Sequence, residues 1–278
     1  MKVCSLLRQS AALAALVYVL AACAPAVTPV PPVPSPLAPV AAEPRLGDSR
    51  QLLAQAVVLL KDENAFDPGW ALELLDGLAA REGEPTVAAS ARVLRVLALR
   101  LLGRYPEAVA AANALLLAQG PAALPQAFAP DVFVERGAAL ALLERPDRAR
   151  EDFDHALLLR PGHVGALLAR GDLAFAQGNA AGAEADYGRA LTEDPRETQA
   201  WVNRGVVRDE QGRFAEAVAD FTEALRRNPA LPGAYANRGI ALSQLGDMVG
   251  MCRDYQAACR LGACARLNAG RELGYCLP

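Results

Sequence analysis

The sequence predicts an all-α protein assembled from repeats. Alanine and leucine dominate a chain of 278 residues that is 53% hydrophobic and only 5% aromatic, and both residues lose little on entering a helix. Four windows align without gaps at a period of 34: residues 130–163, 164–197, 198–231 and 232–265. Three of them carry a proline near their end, Pro161, Pro195 and Pro229, where a helical ladder has to stop. By length the chain is one large domain or two small ones. Its composition, with 21% charged residues, is neither disordered nor fibrous. The formal charge is -3 and lysine occurs only at Lys2 and Lys61, which argues against a strongly basic nucleic-acid face.

The chain opens with Lys2 and Arg8 and then a twelve-residue apolar run, residues 11–22. That run is too short to span about 30 Å of hydrocarbon at 1.5 Å per residue and fits the apolar core of a secretory signal peptide. It ends Leu20-Ala21-Ala22-Cys23, which resembles the bacterial lipobox. The resemblance implies cleavage after residue 22 and lipidation of Cys23, with a thioether diacylglycerol and an N-acyl chain such as palmitate. Several acyl chains at about 0.8 kcal/mol per buried CH2 anchor stably where one does not. Residue 24 is Ala rather than Asp, which by resemblance to Gram-negative lipoproteins implies outer-membrane delivery, facing the periplasm. Removal of residues 1–22 takes away Lys2 and Arg8, so 26 of the 28 basic side chains remain against 31 acidic ones, a net of -5.

Residues 23–47 follow as the lipidated cysteine and a tether with eight prolines between 24 and 46. Proline fixes φ and lacks a donor, so this stretch reads as a semi-rigid polyproline II spacer reaching up to roughly 70 Å at about 3.1 Å per residue.

Within the four windows, position 8 is always glycine (Gly137, Gly171, Gly205, Gly239) and position 24 always aromatic (Phe153, Tyr187, Phe221, Tyr255). Position 27 is always alanine, from Ala156 to Ala258, and position 20 is Ala149, Ala183, Ala217 and then Met251. Trp201 and Tyr235 fill position 4. This pattern closely resembles the tetratricopeptide repeat, in which each unit is a helix, a turn and a second helix. The resemblance implies a right-handed α-solenoid over 130–265. Glycine at 8 and alanine at 20 let the helices cross closely, and the aromatic at 24 fills the gap to the next helix. Each hairpin buries its apolar face only by stacking on a neighbour. Upstream, Gly103 to Ala108 looks like the turn of another repeat, although Val96 stands where glycine is expected and Ala112 where an aromatic is. Phe66 to Leu75 suggests one more hairpin. Residues 48–129 therefore read as two divergent repeats and an irregular joint near 120–130.

Position 7 is always arginine and position 23 always aspartate: Arg136/Asp152, Arg170/Asp186, Arg204/Asp220 and Arg238/Asp254. Their strict co-occurrence points to a structural ion pair in each hairpin rather than to a ladder of ligand-binding arginines.

After Cys4 and Cys23, the four remaining cysteines, Cys252, Cys259, Cys264 and Cys276, fall in the last repeat and the cap that follows it, residues 266–278. Their spacing fits no zinc, redox or haem motif, and behind a signal peptide an even number reads as disulfides. Three connectivities are possible. Gly262 breaks the last helix, and a hairpin there favours Cys259 with Cys264 and Cys252 with Cys276, a staple on the end of the array.

Catalytic motifs are missing. His155 and His163 are the only histidines, and neither belongs to a metalloprotease or hydrolase motif; there is no G-x-S-x-G and no phosphate loop. No cofactor, metal or small-molecule substrate is implied, and the chain reads as a non-enzyme. Family resemblance implies a groove lined by the first helices. Position 5 supplies an apolar floor that includes Leu168 and Val202, position 6 supplies Asn203 and Asn237, and Asp172, Asp209 and Glu210 add negative charge. Asparagine both donates and accepts, which suits a peptide backbone. Without groove lysines an acidic C-terminal peptide is a poor ligand, whereas a neutral or basic extended segment, or a helix, suits the groove. The expectation is an outer-membrane lipoprotein acting as a periplasmic adaptor for envelope proteins. Its alternatives are a pilotin-like assembly factor for a pilus or secretion system and, less favoured, a thiol or metal enzyme using the C-terminal cysteines.

Overall fold

The computed structural model describes residues 46–61, 65–79, 85–118 and 125–276. Leu46 and Gly47, read from sequence as the end of the tether, begin a helix, while the signal peptide, Cys23 and the tether up to residue 45 lie outside the described residues. Among those residues every regular element is a helix: α1 (Leu46–Lys61), α2 (Pro68–Ala79), α3 (Pro85–Leu101), α4 (Tyr105–Leu117), α5 (Ala129–Leu142), α6 (Pro146–Leu159), α7 (Val164–Ala176), α8 (Ala180–Glu193), α9 (Thr198–Glu210), α10 (Phe214–Arg227), α11 (Pro232–Gln244), α12 (Met248–Arg260) and α13 (Ala265–Glu272). A 3-10 turn, Gln126–Phe128, precedes α5. None of these helices is long and apolar enough to cross a membrane.

Consecutive helices pack as hairpins, and the local chemistry sets their ends. Proline sits in the first turn of α4, α5, α6 and α11, where its missing donor costs nothing. Asn179 and Asp247 cap α8 and α12 by accepting from the N–H of Gly182 and Gly250. The turn inside each hairpin needs a left-handed residue. Gly178, Gly212 and Gly246 supply it with φ of 77°, 75° and 81°, and Glu144 takes the same place in the first repeat at φ 58°.

The chain divides between Ala169 and Arg170 into two compact units. In the first, the core runs from α1 to α5 through Ala56, Leu59, Leu75, Val96, Leu99, Ala108, Ala112 and Val132. Gly103 makes the α3–α4 turn with φ 73°. Val96 and Ala112 are both fully buried. Buried valine and alanine thus stand where the later repeats have glycine and an aromatic ring, which is why the repeat pattern weakens there in sequence. In the second unit, α7 to α12 carry the regular repeats from Arg170 onward and α13 closes the end.

The position-24 ring has a more particular partner than the neighbouring helix expected for it. A Cβ on Gly137 would stand 2.6 Å from Phe153 Cε1, on Gly171 2.6 Å from Tyr187 Cε1, on Gly205 2.8 Å from Phe221 Cε1 and on Gly239 2.6 Å from Tyr255 Cε1. Each ring therefore occupies the space left by the glycine of its own hairpin. Phe221 also clusters with Ala241 of the following helix α11. One aromatic thereby fixes the crossing within a repeat and the stacking between repeats.

Candidate peptide groove and its ion-pair frame

The repeated arginine and aspartate meet in every hairpin. Arg136 Nη2 donates to Asp152 Oδ1 at 2.6 Å and its Nε to Oδ2 at 2.8 Å. The same fork joins Arg170 to Asp186 at 2.6 and 2.8 Å, Arg204 to Asp220 at 2.8 and 3.0 Å, and Arg238 to Asp254 at 2.8 and 2.7 Å. All four aspartates are buried. Bidentate geometry and burial make these pairs a frame that holds each first helix to its second.

The third repeat extends the frame. Arg208 Nη1 also donates to Asp220 at 2.9 Å, and its Nε donates to Glu184 of α8 at 2.9 Å. Arg213 bonds Glu184 and Glu216 at 2.6 Å each. Hydrogen bonds from these arginines hold the Glu184 and Glu216 carboxyls below the usual range, although burial opposes the shift. Trp201 lies between two guanidiniums, Arg204 at 4.8 Å and Arg227 at 4.9 Å, and donates its indole N–H to Pro195 O at 3.0 Å.

Both histidines are likewise structural. His155 bonds Glu151 O at 2.7 Å and stacks on Phe133 with centroids 5.3 Å apart. His163 Nδ1 accepts from Ala166 N at 3.2 Å, which leaves the proton on Nε2, 3.0 Å from Asp131 Oδ1.

The first helices of the second unit carry a different chemistry. Asn203 is buried, not presented. Its Nδ2 donates to Asp172 Oδ1 at 2.7 Å, and its Oδ1 accepts from Gln199 Nε2 at 2.5 Å. Asp172 Oδ1 also accepts from Tyr187 Oη at 2.6 Å. Asn203 thus ties α9 to α7. Gln199 and Tyr187, absent from the groove residues expected from sequence, complete this cluster because α7, α8 and α9 converge there. Asn237, Val202 and Asp209 are half-buried and Glu210 is exposed; Leu168, in the other unit, is half-buried.

Asp172, Asp209 and Glu210 have no arginine partner among the described contacts. Burial raises all three carboxyls above the usual range, and the Asp209 charge adds to the rise at Glu210. Asp209 Oδ1 is buried without a hydrogen-bond partner. The residues already satisfied by arginine form the frame, and the uncompensated charge sits at first-helix positions 9, 12 and 13.

The tetratricopeptide-repeat family profile matches residues 135–198, 168–234 and 202–263. Residues 135–263 are tetratricopeptide repeats. Solved structures agree on the fold of the array. A crystal structure of MamA is 18% identical over 60% of this chain and 94% of its own, with a TM-score of 0.52. MamA from Desulfovibrio magneticus RS-1, residue 41 to its end, is 18% identical over 63% of this chain and 94% of its own, TM-score 0.52. YrrB, described as a tetratricopeptide protein with an unusual peptide-binding site, is 16% identical over 66% of this chain and 92% of its own, TM-score 0.51. Comparison with curated protein sequences gave no match. A tetratricopeptide array is a protein-interaction scaffold, and protein partners are its general ligands.

Proposed function

We propose that this protein is a lipid-anchored adaptor of the bacterial envelope, whose tetratricopeptide array holds a neutral or basic extended segment of a partner protein on its first helices. The observation that carries the reading is the negative charge of Asp209 and Glu210, which no arginine offsets among the described residues, together with the unpaired Asp209 Oδ1. An arginine, a lysine or a chain amine of the partner lying over this face would offset the negative charge, and an acidic peptide would meet repulsion. The peptide-binding site named for YrrB supports a ligand of this class. Anchoring by Cys23 and delivery to the outer membrane rest on Leu20-Ala21-Ala22-Cys23 and on Ala24. All four C-terminal cysteines are in disulfides, so the oxidised protein offers no free thiol nucleophile there.

Two expected outcomes test it. Cys23→Ser should move the protein from the membrane to the soluble fraction of the envelope while peptide binding survives; retention in the membrane pellet would end the lipobox reading. Asp209→Asn with Glu210→Gln should weaken a lysine- or arginine-bearing extended peptide about tenfold, close to 1.4 kcal/mol, and leave its neutral analogue nearly unchanged, as titration calorimetry would read. Equal losses for both peptides would remove the electrostatic basis. The same double variant should be more stable than the parent at neutral pH. The folded-state carboxyls are raised above their unfolded values, so their ionisation disfavours the fold as pH rises through the folded pKa. The gain should therefore fade in acid, where the native carboxyls take up protons.

A further inference from the structure

Among the described residues, the last hairpin, α11–α12, is followed by the single short helix α13. In the repeat before, Ala217 and Phe221 of α10 cluster with Ala241 of α11. The equivalent residues of α12, Met251 and Tyr255, are covered instead by Leu267 of α13 and by Cys276. The cover itself is thin. Within α13 only Leu267 and Gly270 are buried, and α13 spans eight residues, shorter than the roughly 12–15 that an isolated helix needs. The strap that follows, Leu273 to Cys276, turns Leu273 and Tyr275 outward at 69% and 58% exposure, and only Cys276 goes in, at 3%.

Sulfur holds this cover in place. Cys276 is bonded to Cys252 on α12, 24 residues earlier. The amides of Tyr275 and Cys276 both donate to Gly270 O, at 2.9 and 3.1 Å. A Cβ on Gly270 would stand 3.0 Å from Cys276 Sγ, so glycine gives the strap room to close. The second disulfide, Cys259–Cys264, spans five residues across the α12–α13 turn. It ties the start of α13 and does not grip the strap. Cys252 is half-buried where Cys276 is buried, so the Cys252 end of the bond is the more accessible side for attack.

We propose that Cys252–Cys276 is a redox-operated latch on the end of the array. A dithiol reductant attacks Cys252 Sγ, Cys276 leaves as thiolate and takes up a proton, and the second thiol of the reductant then releases Cys252. The Cys252–Cys276 bond is reduced by two electrons and two protons, and the dithiol is oxidised to its disulfide. The strap and α13 then leave Met251 and Tyr255 open on the apolar end of the array, and the same exchange run in reverse closes it again: the two cysteine thiols reduce the disulfide form of the dithiol and re-form the Cys252–Cys276 bond.

The test is hydrogen exchange by mass spectrometry on the full mature chain, oxidised and after treatment with dithiothreitol, with a thiol count of each sample. Cys252→Ser/Cys276→Ser and Cys259→Ser/Cys264→Ser variants are measured alongside. The oxidised protein should show no free thiol among these four cysteines. Reduction should speed exchange over 265–276 at least tenfold while α9 and α10 keep their protection, which also reports that the array stays folded. The 252/276 variant should match the reduced protein without reductant, and the oxidised 259/264 variant should stay near the native pattern. Unchanged protection of 265–276 in the reduced protein, or equal loss in the two variants, would overturn the latch.

Discussion

Asp220→Ala should destabilise the protein by about 3–5 kcal/mol, the cost of leaving buried positive charge unpaired. Asp220 is 2% exposed and accepts from two arginines, Arg204 at 2.8 and 3.0 Å and Arg208 at 2.9 Å. The Arg204 and Arg208 side chains are each 17% exposed, so water can do little to replace the lost carboxylate. Equivalent substitutions at Asp152, Asp186 and Asp254 should cost less, because each of these is held by its forked arginine whereas Asp220 holds two. An exposed pair gives the contrast. Arg104 and Glu107 meet at 2.6 Å, but their side chains are 46% and 54% exposed, and breaking that pair should cost far less, because water screens it. Urea denaturation followed by circular dichroism reads all of these. A loss at Asp220 no larger than at Glu107 would show that the forked pairs are not the frame of the array.

Phe221→Ala should cost about as much, roughly 3–5 kcal/mol, by the lost burial of the ring and the void it leaves. Phe221 is fully buried. The informative partner is Gly205, because its Cβ would stand 2.8 Å from Phe221 Cε1. Gly205→Ala alone should destabilise by about 1–3 kcal/mol through overpacking. In the Phe221→Ala background the clash is gone, and the same change should become favourable by up to about 1 kcal/mol, since alanine is the better helix former. That reversal of sign is the readout of a double-mutant cycle. Additive effects of the two changes would mean that the glycine is not there for the ring.

Much of this was written in the sequence for a physical reason. A repeat makes the same contacts within itself and with its neighbour every time, so its requirements recur at fixed positions. Gly205 with Phe221, and Arg204 with Asp220, are 16 residues apart in each case, a distance the period itself marks. Where the period was broken, other buried residues take those places. Val96 and Ala112 stand where the later repeats have glycine and an aromatic ring, and α3–α4 is a hairpin all the same.

What the sequence alone determined was therefore the all-α class, the hairpin repeats over 130–265 and the places of their glycines, aromatics and forked ion pairs, because these follow from local spacing and nearest-neighbour stacking. What only the tertiary structure decided was the state of individual polar groups. Asn203 reads in sequence as a groove residue, yet Asp172, 31 residues away, takes its amide. Asp220 and Asp152 look alike in sequence, yet only Asp220 has a second arginine. Asp209 reads in sequence only as one more negative charge of the groove, yet one of its oxygens is buried and unpaired. Charge and hydrogen-bond satisfaction depend on which distant side chains arrive at the same point, and a periodic pattern does not encode that.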